Sequence, residues 1–189
     1  MNTTTTAKVT DIRIWIEGAF MASLAMALQF IPHGIGFFSI SLGAVPIALY
    51  ALRRGTASGA MAGLVWGLLH FVVGKAWFLS VPQVLIEYVF AYLLCGATGL
   101  FANKIKAAAG NKNKIILYII LGALAGNIAR YFLHFIAGVI FWSEYAWKGY
   151  GAVLYSVIIN GTNGLLTAAL TSIVLILVYL TYPKLFSTK

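Results

Sequence analysis

Apolar runs of membrane-spanning length recur through most of this chain, and they constrain its fold more than any other feature. A helix needs about 20 largely apolar residues to cross a hydrocarbon core. Of the 189 residues, 61% are hydrophobic and only 9% are charged, a balance that soluble domains do not have. The sequence therefore predicts an all-α integral membrane protein, a bundle of six transmembrane helices forming one domain over residues 1–189. The expected helices cover about residues 12–31, 42–53, 56–73, 82–103, 114–141 and 151–182, of which the second is short for a full crossing.

The positive residues are distributed unequally between the connections of these helices. Ten of the thirteen Lys and Arg residues fall at the two termini and in the second–third and fourth–fifth connections, and two fall in the remaining connections. An excess of positive charge marks the cytoplasmic side of a membrane protein, so both termini are expected in the cytoplasm. The net charge of +9 thus indicates orientation rather than nucleic-acid binding. The ten are Lys8, Arg13, Arg53, Arg54, Lys104, Lys106, Lys112, Lys114, Lys184 and Lys189, and the two are Lys75 and Lys148.

Several functional classes are disfavoured by what the sequence lacks. The single cysteine, Cys95, excludes a disulfide framework, and three scattered histidines make a poor zinc site. The HExxH motif, the GxSxG motif and the GxxxxGK[ST] phosphate loop do not occur. We therefore expect no metal, no cofactor and no enzymatic activity, and any ATP hydrolysis would belong to separate chains.

Polar side chains in three of the expected helices fall at a similar depth, near the ends opposite the positive connections. Ionisable groups inside a bilayer usually face the bundle interior and mark a path for a substrate or an ion. The alternative is a structural pair of Glu87 with Arg130 or with His134. The residues concerned are Glu87 and Tyr88 in the fourth helix, Arg130 and His134 in the fifth, and Tyr155 and Asn160 in the sixth.

The chemistry of these groups favours a flat, cationic heteroaromatic ligand. A carboxylate at Glu87 can neutralise a cation, and the rings of Tyr88, Trp142 and Tyr155 can stack on the ligand and attract its charge. Asn160 can form hydrogen bonds with ring nitrogens, although an ideal helix turns Tyr155 and Asn160 about 140° apart. Either the helix is locally irregular there, or the two side chains contact different parts of the ligand.

Four segments closely resemble the thiamine-specific S-component of energy-coupling-factor vitamin importers. They are LRRG…GLVWGLLHF (52–71), LIEY (85–88), RYFLHFIAGVIFWSEYAWKG (130–149) and LYSVIING (154–161). The likeness covers nearly the whole chain, and the third segment is highly specific. It implies a multi-pass, substrate-binding subunit of a prokaryotic cell membrane. Such a subunit captures thiamine outside and depends on a transmembrane coupling protein with two cytoplasmic ATPases.

The resemblance also implies roles for individual residues. Glu87 corresponds to the acidic ligand contact, Trp142 to the ring-stacking tryptophan and His134 to the histidine beside the thiazolium. The full set of expected ligand-binding residues is Phe37, Trp77, Glu87, Tyr88, Arg130, His134, Trp142, Tyr155 and Asn160. Tyr155 and Asn160 would contact the aminopyrimidine, Phe37 stands where relatives can carry Trp, and Arg130 would lie near the hydroxyethyl or phosphate end. Trp77 has the alternative of belonging to an interfacial aromatic belt.

The partner would dock on the first helix. Gly18 and Ala22 lie one turn apart there, with Ala19, Ser23 and Ala27 forming a second small-residue stripe, and small residues let helices approach closely in lipid. The resemblance implies an Ala-x-x-x-Ala docking face, in which Gly18 replaces the first Ala, although the stripe could instead pack inside the bundle. Other functions remain open: a self-sufficient proton-coupled transporter, a membrane-embedded enzyme or a structural membrane partner.

Overall fold

Helices make up most of the protein in the computed structural model, which describes residues 11–186. The positions 8, 187 and 189, which include two of the positive residues counted above, lie outside the described residues. The main elements are α1 (Ile12–Leu28), a hairpin of β1 (Gly34–Ile35) and β2 (Phe38–Ser39), α2 (Ala44–Arg54), α3 (Thr56–Val72), α4 (Val81–Ala107), α5 (Lys112–Phe141) and α6 (Ala152–Thr181). Short 3₁₀ turns follow α5 at Ser143–Tyr145 and α6 at Pro183–Phe186.

The helix ends follow local backbone chemistry. The sequence predicts the first helix to residue 31, but α1 ends at Leu28, because the residue before Pro32 is driven out of the helical region. An antiparallel hairpin follows, with Gly34 opposite Ser39. Helix α5 begins after Asn111, whose side chain accepts a hydrogen bond from the backbone N–H of Lys114 at 3.1 Å, as an N-cap residue does.

Three of the described helices are long and apolar enough to cross a membrane: α4, α5 and α6. Helix α3 is apolar but shorter. The architecture is therefore that of a mostly helical membrane protein.

Helix α4 departs from regular α-helical geometry where the polar residues of the candidate site lie. Residues Leu85–Phe90 form a π-helical turn, and Leu94–Phe101 are wound more tightly as a 3₁₀ helix. Helix α3 packs closely against this irregular stretch, because a side chain at Gly63 or Gly67 would collide with the backbone carbonyl oxygen of Tyr92 or Tyr88. Single π-turns inside longer helices are frequent at functional sites.

The inner stripe of α1 packs inside the bundle, which corrects the predicted docking face. Ala22 has no exposed surface, and Gly18 is buried where an added Cβ would lie 2.9 Å from the Tyr50 hydroxyl. The Tyr50 hydroxyl itself donates a hydrogen bond of 2.6 Å to the carbonyl oxygen of Ile14. Gly18 and Ala22 therefore let α2 approach α1, whereas the neighbouring Ala19, Ser23 and Ala27 are exposed.

The carboxylate of Glu17 joins α1 to the C-terminal end of α2. It lies 3.0 Å from Arg53 Nη1 and 2.5 Å from Arg54 Nη2. Among residues 11–186, both ion pairs of Glu17 are with α2, and none is with Arg13 four residues earlier on α1. The two arginines at the end of α2 thus fix α1 against the bundle.

Candidate ligand-binding site

A cavity of about 310 Å³ lies between the β-hairpin, the start of α4, the end of α5 and the start of α6. This volume is within the range of small-molecule sites. Seven of the nine ligand-binding residues expected from the sequence line it: Phe37, Trp77, Glu87, His134, Trp142, Tyr155 and Asn160. The structure therefore brings together side chains that are separated by more than 120 positions in the sequence.

Glu87 supplies the negative charge of this cavity. Among residues 11–186 it is the only carboxylate in the lining, and no Lys or Arg side chain joins it there. Its Oε1 accepts a hydrogen bond of 2.9 Å from the indole N–H of Trp142, and its Oε2 accepts one from the side-chain amide of Gln83. These neutral donors orient the carboxylate without neutralising it, so a cationic ligand can supply the compensating charge.

Gln83 was not predicted from the sequence, yet it holds both Glu87 and the α3–α4 connection. Its side chain is fully buried. Its Oε1 accepts from the backbone N–H of Leu79 at 3.2 Å, so the amide orientation is fixed, and its Nε2 donates to the carbonyl oxygen of Trp77 at 3.2 Å as well as to Glu87. One side chain thereby links the aromatic connection to the charged wall of the cavity.

Aromatic rings form much of the remaining wall. The rings of Trp77 and Trp142 meet edge to face with centroids 6.2 Å apart, and Trp142 also contacts Tyr145 at 5.6 Å. Phe37 meets the edges of Tyr145 and Tyr155 at 6.1 and 6.2 Å. Such rings can stack on a flat ligand and attract a positive charge.

The hairpin that carries Phe37 is held by Asn163 of α6. The Asn163 Oδ1 accepts a hydrogen bond of 2.9 Å from the backbone N–H of Ser39, and its Nδ2 donates one of 3.0 Å to the carbonyl oxygen of Phe37. Further along this segment, the backbone N–H of Ser41 donates to the hydroxyl of Thr167 at 3.0 Å. The hairpin is therefore fixed to α6 through its second strand.

One face of α6 contributes several residues to the cavity lining. Their positions explain how Tyr155 and Asn160 can both line the cavity although they are five residues apart. Both line the cavity together with Ser156 and Ile159, which lie between them on the helix surface. The helix is regular over its whole length, so no local irregularity is needed. An arc of about 140° is wide enough for Tyr155 and Asn160 to contact different parts of one ligand.

Two buried polar atoms at this cavity have no hydrogen-bond partner among the described residues: His134 Nε2 and the Tyr155 hydroxyl. The His134 ring lies between Tyr92 and Tyr131, with centroid distances of 6.2 and 5.6 Å. Because unsatisfied buried polar groups are costly, both atoms are positioned to gain partners from a ligand.

Tyr88 and Arg130 are not among the residues that line this cavity, so their expected contact with a ligand stays a prediction. The Tyr88 hydroxyl accepts a hydrogen bond of 2.9 Å from the backbone N–H of Trp77, and its ring packs against His70 and Phe71 at 5.7 and 5.0 Å. Its place beside Glu87 on α4 turns it toward α3, so it supports the wall from behind.

Arg130 lies deeper, inside the bundle. Its guanidinium donates to Ser41 Oγ at 2.9 Å and to the Tyr92 hydroxyl at 3.1 Å, and its carbon atom Cζ lies 4.7 and 4.4 Å from the ring centroids of Trp66 and Tyr92. The alternative of a Glu87–Arg130 pair is also not found among the ion pairs of residues 11–186. Aromatic faces and hydroxyl oxygens therefore accommodate this buried cation.

Gly138 and Ser156 also line the cavity without having been predicted. Neither carries a sequence signal of its own, because glycine and serine are common in membrane helices. Gln83 could have been found from its spacing of four residues before Glu87, which places the two side chains on one helix face.

The chain is similar to known thiamine transporters over most of its length. Residues 15–187 match the family model described as "Thiamine transporter protein". The chain is 42% identical over 181 residues to the thiamine transporter ThiT of Lacticaseibacillus paracasei, covering 92% of this chain and 90% of that protein. It is 30% identical to ThiT of Bacillus subtilis, covering 92% and 93%. A solved structure of ThiT from Listeria monocytogenes superposes with a TM-score of 0.91 at 41% identity, covering 94% of this chain and 98% of that one.

Proposed function

The chain belongs to the thiamine transporter protein family, and from this premise we propose that it is a membrane subunit that captures thiamine outside the cell. The family is one of transporters rather than enzymes. The observation that carries the proposal is the cavity itself, in which Glu87 is surrounded by aromatic rings and no positive side chain of residues 11–186 competes for the carboxylate. Thiamine combines a permanently cationic thiazolium ring with an aminopyrimidine, and that lining suits both parts.

The proposed contacts follow the positions of the lining residues. Glu87, Tyr155 and Asn160 offer oxygen and nitrogen atoms that can form hydrogen bonds with the aminopyrimidine. His134 lies on α5 and Trp142 directly follows the last residue of that helix, and both can enclose the thiazolium. Phe37 and Trp77 complete the wall from the hairpin and the α3–α4 connection. Tyr88 and Arg130 support the site indirectly, through the Trp77 backbone and through the packing around Tyr92.

Binding is tested by titrating the purified protein with thiamine. Because Trp142 and Trp77 line the cavity, we expect a saturable change in tryptophan fluorescence, and calorimetry should give the same dissociation constant. Choline, a cation without an aromatic ring system, is the control and should bind far more weakly. Absence of a saturable signal for thiamine in both measurements would reject the proposed ligand.

We further propose that uptake requires an energy-coupling-factor complex, made of a transmembrane coupling subunit and two cytoplasmic ATPase subunits. This extension rests on the resemblance of the binding segments and on the absence of a phosphate loop from the sequence. It places six helices in the cell membrane with both termini in the cytoplasm, as the distribution of positive charge predicts.

The exposed small residues of α1 support a revised docking face. Ala19, Ser23 and Ala27 are exposed and recur every four residues. They allow a partner helix to approach α1 closely, as Gly18 and Ala22 allow α2 to do inside the bundle. Large apolar side chains flank them on the same helix, including Ile16 and Phe20, which are 63% and 64% exposed. We assign this stripe, rather than the buried one, to the coupling subunit.

A self-sufficient proton-coupled transporter is the alternative, with Glu87 and His134 as its proton-binding groups. The two mechanisms separate in proteoliposomes that contain only this chain. Under an imposed proton gradient without ATP, the coupled-complex proposal predicts no accumulation of radiolabelled thiamine. Accumulation that collapses when the gradient is dissipated would favour the alternative.

A further inference from the structure

We propose that Ser156 determines the specificity of this site by fixing the direction of the Asn160 side-chain amide. In this arrangement Asn160 turns its carbonyl oxygen, and not its NH₂ group, toward the ligand. The cavity then selects a ligand that carries an amino group at that position over one that carries a carbonyl. This inference rests on the proposed function, because it concerns which aminopyrimidine-like ring the thiamine site accepts.

The direction of the amide follows from the hydrogen available on Ser156. A serine hydroxyl has one hydrogen to donate, and Ser156 donates it to the carbonyl oxygen of Phe135 at 2.8 Å. A carbonyl oxygen can only accept, so the Ser156 oxygen is left to accept from its other neighbour. That neighbour is Asn160, whose side-chain nitrogen lies 3.1 Å away. Only the NH₂ end of the amide can make this bond, which leaves Oδ1 as the end that can accept from a ligand.

Helix α5 holds the three groups in this arrangement. Ser156 is almost completely buried, at 1% exposed. A Cβ atom at Gly138 would collide with the Ser156 hydroxyl and would lie 3.0 Å from Asn160 Nδ2. The absence of a side chain at Gly138 therefore provides the space in which Ser156 and Asn160 meet, and the same close packing leaves the hydroxyl little freedom to turn elsewhere.

The consequence is that two polar side chains of the cavity, Glu87 and Asn160, both present hydrogen-bond acceptors. Glu87 is a carboxylate, and Asn160 presents a carbonyl oxygen, so a ligand amino group satisfies what they offer. A carbonyl oxygen at the same place on the ligand would meet another acceptor, and both would be left without a partner inside a buried site. Sites built to bind a polar group discriminate strongly on this basis.

The test compares thiamine with oxythiamine, which carries a carbonyl in place of the 4-amino group. Calorimetry on the wild type should give a dissociation constant at least about tenfold higher for oxythiamine, the scale of one unsatisfied buried group. Ser156→Ala frees the Asn160 amide to reverse, so the ratio of the two constants should fall by roughly tenfold. The ratio is decisive because a loss of packing alone would weaken both ligands equally.

Two further variants complete the test. Ser156→Cys keeps the volume but provides a poor acceptor, so it should also lower the ratio. Ser172→Ala removes a comparable buried hydroxyl of α6, which donates to the carbonyl oxygen of Ala168 at 2.8 Å, and it should leave the ratio unchanged. If the wild type binds thiamine, two results would overturn the role of Ser156. One is an unchanged ratio of the oxythiamine and thiamine dissociation constants in both Ser156 variants, and the other is loss of all binding in both. Failure of the wild type to bind thiamine rejects the proposed function instead.

Discussion

Gln83 donates its side-chain amide to Glu87 one turn further along α4, where the helix changes from α-helical to π-helical winding. The wider turn places the two side chains on one face. Because the other end of the Gln83 amide accepts from the backbone N–H of Leu79, Gln83 can offer Glu87 only a donor. The relationship therefore stabilises the charged form of the carboxylate and links it to the connection that carries Trp77.

Gln83→Leu should weaken thiamine binding by about 1.5 kcal/mol, the lower end for a hydrogen bond to a charged group. The substitution nearly preserves the volume and removes the donor. Calorimetry measures the change, and a double-mutant cycle with Glu87→Gln identifies its cause. If Gln83 acts through the carboxylate, its loss should cost much less in the Glu87→Gln background. Equal losses in both backgrounds would mean that Gln83 only supports the fold.

Glu87→Gln should weaken thiamine binding by about 2 kcal/mol or more, the scale of a lost hydrogen bond to a charged group. The variant keeps the shape of the side chain and removes the charge that balances the thiazolium. Glu144→Gln makes the same chemical change at an exposed position and is the matched control. Calorimetry that gives both variants the wild-type dissociation constant would place the cation elsewhere.

Arg130→Lys should lower the stability of the protein by about 2 kcal/mol while affecting thiamine binding less than Glu87→Gln does. A lysine cannot donate to Ser41 and Tyr92 together and stack on the Trp66 ring as the guanidinium does. Thermal unfolding in detergent measures the first effect and calorimetry the second, with the exposed Arg13→Lys as control. An unchanged unfolding temperature together with lost binding would show that Arg130 contacts the ligand directly.

The sequence points to residues of the cavity lining where the chemistry of a residue is rare in a membrane. A carboxylate and a histidine inside apolar helices are informative by themselves, and Glu87 and His134 line one cavity together with Trp142, which follows α5. Arg130 was equally conspicuous but does not line the cavity, because Ser41 and Tyr92 hold its guanidinium one helical turn deeper along α5.

Lining residues of common types could not be predicted from the sequence. Ser156 and Gly138 matter through their contact with Asn160, which requires the packing of α5 on α6 to be known. The choice between the two small-residue stripes of α1 also depends on packing. Small residues occur on two adjacent faces of this helix, and their periodicity does not show which face is covered by Tyr50. The β-hairpin was also missed, since its two strands have only two residues each.

The proposed orientation predicts which connections an impermeant thiol reagent can reach. In a Cys95→Ala background, Ser143→Cys in the α5–α6 connection should be labelled in intact cells. Asn113→Cys, at the start of α5, should be protected until the membrane is permeabilised. Both positions are exposed in the structure, so the membrane alone decides the difference. Labelling of Asn113→Cys from outside would reverse the orientation derived from the positive residues.

The docking face on α1 is tested by placing a large side chain on the exposed stripe. Ala19→Trp should leave thiamine binding by the isolated subunit intact, because Ala19 does not line the ligand cavity. It should abolish ATP-driven uptake in the reconstituted complex, because close helix packing in lipid does not tolerate the added bulk. Ala22→Trp is instead expected to reduce folding, since Ala22 has no exposed surface.

Ala169→Trp is the matched control for this last prediction, because Ala169 is also an exposed alanine but lies on α6 and not on α1. It should retain both binding and uptake. Normal uptake by Ala19→Trp would show that the partner docks elsewhere. Loss of thiamine binding in the isolated Ala19→Trp subunit would show that the exposed stripe, like the buried one, is needed for the fold of the bundle rather than for coupling to ATP hydrolysis.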